Sequence, residues 1–181
     1  MIPELRDIGA LREVLPYGRY LTTLEEIEER FVPENDQNRQ AIWQAFQRVT
    51  ELVRKAYNGL DEVWIGGSFI TSEPTPHDID VVYLVDDMLY QRAQKTTLGQ
   101  FVSAVFTRSD PRVPQVFDPL VDAFLVSVPP TAMTMDQQFA APRGYWDQFW
   151  SKTRFEKGNN RWLYPASGYL EVIFDGYEHQ S

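Results

Sequence analysis

Two short stretches hold the residues with chemistry in them. Gly66, Gly67 and Ser68 follow the apolar run "EVWI", and nine residues separate Ser68 from Asp78, which with Asp80 is set in "HDIDVVYLV". On a strand, residues two apart point to the same face, so both carboxylates share one side while Ile79 and Val81 take the other. Two anions about 7 Å apart repel, and burial raises that cost by several kcal/mol unless something neutralises them. A divalent cation does so; carboxylate pairs suit Mg²⁺ or Mn²⁺, whose other ligands are water and phosphate oxygens. An isolated Asp-x-Asp is more often a strand end whose carboxylates reach water. The glycines alter that balance. They let a phosphate approach backbone N–H groups closely, and the Ser68 hydroxyl adds a donor. A phosphate cradle and a metal pair on adjacent strands describe a nucleoside triphosphate site.

"IGGSF" together with "HDIDVV" resembles the signature of the DNA polymerase β-like nucleotidyltransferase superfamily, in particular its small bacterial and phage members, the minimal nucleotidyltransferases. The motif match covers residues 65 to 82, and a compatible element order extends it loosely from Gln37 to Val128. The resemblance implies that Gly66, Gly67 and Ser68 bind the triphosphate, that Asp78 and Asp80 hold the metals, and that a third acid from a later strand completes the site. Asp122, in the apolar run "LVDAFLV", is the choice for that acid; Asp118 sits beside Pro119 in a loop, and Asp86 and Asp87 suit the start of a helix.

The implied activity is metal-dependent transfer of a nucleoside monophosphate from an NTP to a hydroxyl of RNA or a protein, in a setting such as a toxin–antitoxin or phage-defence module with a cognate partner. A small-molecule acceptor of the aminoglycoside type is the second reading: six acids between Glu25 and Asp36 against the single Arg30 would suit a cation. An inactive nucleotidyltransferase fold serving as an interaction module is the third. Positive charge for the triphosphate is sought between residues 143 and 161, where Arg143, Lys152, Arg154, Lys157 and Arg161 face only Asp147 and Glu156. Lys152 and Arg154 are assigned the phosphate role, with Arg92 and Lys95 behind them. His77 reads as a loop residue with a packing or hydrogen-bonding role, and His179 carries no signal.

Several elements must position these residues. Residues 1–20 read as an irregular arm, and a Thr-x-x-Glu capping box at Thr22 or Thr23 opens an acidic helix that ends before Pro33. A longer helix runs from Gln37 to Tyr57 on the stripe Ile42, Phe46, Val49, Leu52, Val53 and Ala56, with Gly59 in place for a left-handed cap. Strands follow at "EVWI" and Ile79–Val85, then one helix from about Met88 to Phe106, a strand at "LVDAFLVSV" and a helix at Tyr145–Lys152. Tyr145, Trp146, Phe149 and Trp150 on that last helix read as a buried face. "NRWLY" and "YLEVIF", separated by "PASG", look like a terminal hairpin. The expected class is α+β: a small mixed sheet with helices packed on it and a C-terminal β-hairpin. One domain spans 1–181, with the arm and acidic helix at 1–36, the core at 37–128 and the C-terminal helix and hairpin at 129–181.

Composition limits the alternatives. The chain has 181 residues, 43% hydrophobic, enough for a sizeable core, and it has no cysteine, so neither a disulfide framework nor a thiolate metal site is available. Without a secretion signal or an apolar run of membrane-spanning length, a cytoplasmic location with no membrane partner is expected. A net charge of −9 argues against broad adhesion to nucleic acid, which would require a local basic surface.

Overall fold

A computed structural model describes residues 1–108, 112–114, 116–128, 137–154 and 162–176. Among them the chain is α+β, with five α-helices, a mixed five-stranded sheet and a separate two-stranded hairpin near the C-terminus. Across the sheet the order is β1 (Arg19–Thr22), β7 (Tyr169–Ile173), β2 (Glu62–Gly66), β3 (Ile79–Asp86) and β4 (Val121–Val128). β2 runs antiparallel to both β7 and β3, whereas β1 pairs with β7 and β3 with β4 in parallel. Val81 to Val85 are all buried, as expected of an interior strand covered on both faces.

One face is covered by three helices. In α2 (Gln37–Tyr57), Asp36 caps the start by accepting the Arg39 N–H at 3.0 Å, and Ile42, Phe46, Val49 and Val53 are fully buried. Its cap differs from expectation by one residue: Asn58, not Gly59, takes the left-handed conformation at φ 57°, a conformation that asparagine tolerates better than most residues. Tyr83 of β3 anchors this face. Its hydroxyl shares a 2.9 Å hydrogen bond with that of Thr50, and its ring stacks on Phe106 at 5.9 Å. The single helix expected over 88–106 is two, α3 (Asp87–Ala93) and α4 (Thr97–Thr107). The break lies at Thr96, whose Oγ1 accepts the Gly99 N–H at 3.0 Å, and Gly99 packs so tightly on the Ala93 carbonyl that a Cβ would overlap it.

The other face carries α5 (Gln137–Trp150), which starts earlier than the expected Tyr145. Trp146 rests on Phe124 at 4.5 Å and Trp150 on Tyr169 at 5.3 Å between centroids. Only half of the aromatic quartet is core: Trp146 and Trp150 are buried, while Tyr145 and Phe149 are exposed.

Two expectations about the chain ends need correction. The arm is not wholly irregular, because Arg19–Thr22 forms the edge strand β1 and Arg6 bridges Val14; four residues bounded by Gly18 and a capping threonine give too little periodicity to read. The acidic helix α1 (Leu24–Phe31) does start at Thr23, whose Oγ1 accepts the Glu26 N–H at 3.3 Å. The C-terminal hairpin pairs β5 (Thr153–Arg154) with β6 (Trp162–Leu163), not "NRWLY" with "YLEVIF". The latter supplies β7, inserted between β1 and β2, where two neighbours satisfy its backbone in place of one. No described helix is long and apolar enough to cross a membrane.

At the C-terminal end of β3, buried Asp86 accepts the N–H groups of Met88 at 2.8 Å and Leu89 at 3.4 Å, capping α3, and its own N–H donates to Asp61 Oδ2. Asp86 therefore starts a helix, as its sequence context suggested.

Candidate functional site

The site lies at the other end of β3, on the α5 face. Gly66, Asp80 and Asp122 are register partners on three adjacent strands, so they form one row across the sheet, and Asp78 precedes Asp80 by two residues. Neighbouring strands are about 4.8 Å apart, which makes Asp80 and Asp122 side-by-side carboxylates.

Each glycine before this row has a steric reason. A Cβ on Gly66 would come within 2.6 Å of the Trp150 indole, which lies over the bare backbone. A Cβ on Gly67 would overlap Asp80 Oδ2, and its φ of 74° with ψ of −164° falls in a region open essentially to glycine alone. The Asp80 carboxylate thus nestles in the turn that Gly67 makes. Ser68 opens a 3₁₀ turn, Ser68–Ile70, closed by Thr71, whose Oγ1 donates to the Ser68 carbonyl at 2.7 Å.

The spacer between Ser68 and Asp78 is fastened by α2. The buried Arg39 guanidinium donates to the carbonyls of Phe69 (2.6 Å), Thr71 (3.2 Å) and Glu73 (2.6 Å), and to that of Phe31 (3.1 Å). Asn38 Nδ2 donates to the Pro76 carbonyl at 2.8 Å. Neither residue stood out in the sequence, where they read as polar positions of an amphipathic helix.

A cavity of about 290 Å³ opens beside the turn, bordered by Gly67, Ser68 and Asp80 on one side and by Phe149, Lys152 and Arg154 on another. The two cations assigned from sequence therefore reach the same cavity as the acid. Arg92 and Lys95 belong to the opposite end of β3, beyond Asp86. The Arg143 side chain, Lys157, Arg161 and His179 lie outside the described residues. A third wall was not foreseen: Arg12, Val14 and Leu15 of the arm. The arm is tied in place by the Arg12–Glu73 ion pair at 3.0 Å and by the Glu13 N–H, which donates to Ser72 Oγ at 2.8 Å. A lone arginine in an aperiodic segment gives no signal that could have found it. Arg12, Ser68 and Arg154 also border an adjoining cavity of about 670 Å³, where the exposed His77 lies.

The acids carry unmet charge. Burial pushes the Asp80 carboxyl up to about 7, with Asp78 and then Asp122 adding to the rise. Asp78 is also raised, first by burial and then by Asp122, with His77 opposing. Asp122 has a partner: the Arg108 guanidinium pairs with its Oδ1 and lies 4.1 Å over the Phe124 ring. Asp118 stays outside the row, paired with Arg48 at 3.3 Å and capping the Leu120 N–H at 3.0 Å.

This donor set suits a hard divalent cation in its chemistry: Asp78 and Asp80 repel each other with no cation between them. Its present arrangement is not a closed three-acid cage, since among the described residues no three His, Cys, Asp or Glu side chains come together closely enough to hold a metal ion. Asp122 is engaged by Arg108.

A model described as "Family of unknown function (DUF6932)" matches residues 10–173, from the arm that walls the cavity to the last residue of β7. The chain belongs to that family. No curated protein and no solved structure matches it. In this DUF6932 member the matched span takes in Arg12, the Gly66–Ser68 turn, Asp78, Asp80 and Asp122, Lys152 and Arg154.

Proposed function

We propose that the chain is a metal-dependent nucleotidyltransferase that moves a nucleoside monophosphate from an NTP to a hydroxyl of RNA or a protein. One observation carries this reading: Asp80, whose carboxyl is raised by burial and by the neighbouring Asp78, meets the Gly67–Ser68 turn at a cavity that Lys152 and Arg154 also border. Anions and cations so close together suit a ligand that is anionic and travels with a divalent ion, as a triphosphate does.

Asp78 and Asp80 would hold the ion, with Asp122 alongside. Bound there, Mg²⁺ or Mn²⁺ would offset the carboxylates and draw electron density from the triphosphate oxygens. Lys152 and Arg154 offset phosphate charge, Gly67 allows backbone N–H groups close to the phosphates, and the Ser68 hydroxyl donates a hydrogen bond. The acceptor oxygen bonds to the α-phosphorus as the bond to the bridging oxygen breaks; pyrophosphate leaves with that electron pair, and the hydroxyl proton passes to the carboxylate row. A cysteine-free composition supports a cytoplasmic setting, and the motif resemblance supports a toxin–antitoxin or phage-defence context.

Incubation with each α-labelled NTP, Mg²⁺ or Mn²⁺, and cellular RNA and protein tests the reading. Label should move to one macromolecular fraction and should not move with Asp80→Asn; absence of transfer from all four NTPs overturns it. The Asp122–Arg108 pair favours one second reading, a nucleotidyltransferase fold kept as an interaction module. That reading expects calorimetry to show no Mg²⁺-dependent NTP binding.

A further inference from the structure

A chain of net charge −9 holds a nucleic acid only where positive charge and stacking surface coincide locally. They coincide at the mouth of the smaller cavity. Phe149 and Trp162, 45% and 52% exposed, both border it. Tyr145, one helical turn before Phe149 and 55% exposed, extends the surface, its ring stacked on that of Phe149 at 5.8 Å and 18°. The Arg154 guanidinium lies 5.4 Å over Trp162, and Lys152 stands between the two aromatic groups in sequence and borders the same cavity.

Two described acids of the flanking segments are already engaged. Asp147 accepts the Tyr169 hydroxyl, and Glu73 pairs with Arg12 at 3.0 Å. Neither Lys152 nor Arg154 forms an ion pair among the described residues. Large rings left in water beside cations that have no paired acid among the described residues match a ligand that alternates planar π-faces with anionic links. A peptide does not have that alternation, and a duplex hides its faces.

We propose that this face binds a single-stranded polynucleotide, stacking unpaired bases on Phe149 and Trp162 and holding the backbone with Lys152 and Arg154, two cations that the strand would share with the triphosphate. It rests on the proposed transfer activity only in making that strand the acceptor, which narrows the acceptor from RNA or protein to nucleic acid.

Fluorescence anisotropy with labelled oligouridylate and oligothymidylate, at low salt and with neither NTP nor divalent ion, tests the binding. One or both strands should bind, and Phe149→Ala and Trp162→Ala should each weaken binding about tenfold. Phe149→Tyr should bind as wild type does, whereas Phe149→Leu, apolar but unable to stack, should behave like the alanine variant. Lys152→Gln should weaken binding and flatten its salt dependence. Both rings are half-exposed, so thermal melts of the variants should match wild type. The proposal is overturned if neither oligonucleotide binds, if the variants bind as tightly as wild type, if a duplex binds as well as a single strand, or if a protein is captured at this face in place of the oligonucleotides. Lost oligonucleotide binding leaves the transfer reading standing, and binding without transfer leaves this one standing.

Discussion

β3 has acids at both ends, and they sit in opposite circumstances. Asp86, at the C-terminal end, is buried with its carboxylate accepting two backbone N–H groups of α3. Asp80, at the N-terminal end, borders a cavity with two further acids as neighbours, and its carboxyl is pushed up to about 7. Burial alone does not separate a structural acid from a functional one. What separates them is whether the carboxylate's charge is answered inside the protein: backbone donors answer Asp86, and among the described residues nothing comparable answers Asp80.

Exchanging acids for neutral residues tests that contrast most severely. Asp80→Asn should reduce nucleotidyl transfer by roughly 10³-fold or more while stabilising the metal-free protein. In the folded state the carboxyl protonates near 7 against 3.8 ordinarily, so between those values the native state binds the extra proton and stability falls as pH rises. Wild type should therefore lose stability from pH 4 to pH 7 relative to Asp80→Asn in urea titrations, and Mg²⁺ should restore it to wild type alone. Equal pH profiles would place the Asp80 end of β3 in the same class as the Asp86 end.

Gly67→Ala is expected to come next, costing about 3 kcal/mol by thermal melt, because the new methyl meets both a glycine-only conformation and the Asp80 carboxylate. Asp86→Ala removes a helix cap and should cost about 1–2 kcal/mol, with transfer unchanged where the protein is folded. The smallest effect is expected of Arg108→Gln: under about 1 kcal/mol in stability, since the pair is half-exposed, with Mg²⁺ bound several-fold more tightly by calorimetry as Asp122 is released. Unchanged Mg²⁺ affinity would show that Arg108 does not compete for the row.

The parts of the fold that were legible in sequence are those set by local rules. Thr23 marks a helix start, the stripe of α2 gives its buried face, and the β-branched run gives β3. The glycine turn and the Asp-x-Asp pair were visible because their residue types are hard to justify otherwise. What stayed hidden depends on partners distant in sequence. β1 is four residues that become a strand only beside β7, and β7 looked like half of a hairpin because pairing with the nearest strand is the cheaper assumption. Thr96 was legible as a cap in principle, but the apolar spacing on either side of it reads as one helix. Arg12, Arg39 and Arg108 gave no signal, because an arginine's role depends on which carbonyls or carboxylates the fold brings to it.

The position of β7 determines when the cleft can exist. Residues 169–173 lie between β1 and β2, so a nascent chain still lacking them leaves β1 without a partner and the β2 edge bare. The walls around Asp80 come from residues 12–15, 67–71, 149–154 and 162–168, and these meet only once that late strand is seated. Closure of the pocket therefore waits on a pairing between segments far apart in the chain, Arg19 beside Tyr169, and the early strand has no sheet to join until the later one arrives.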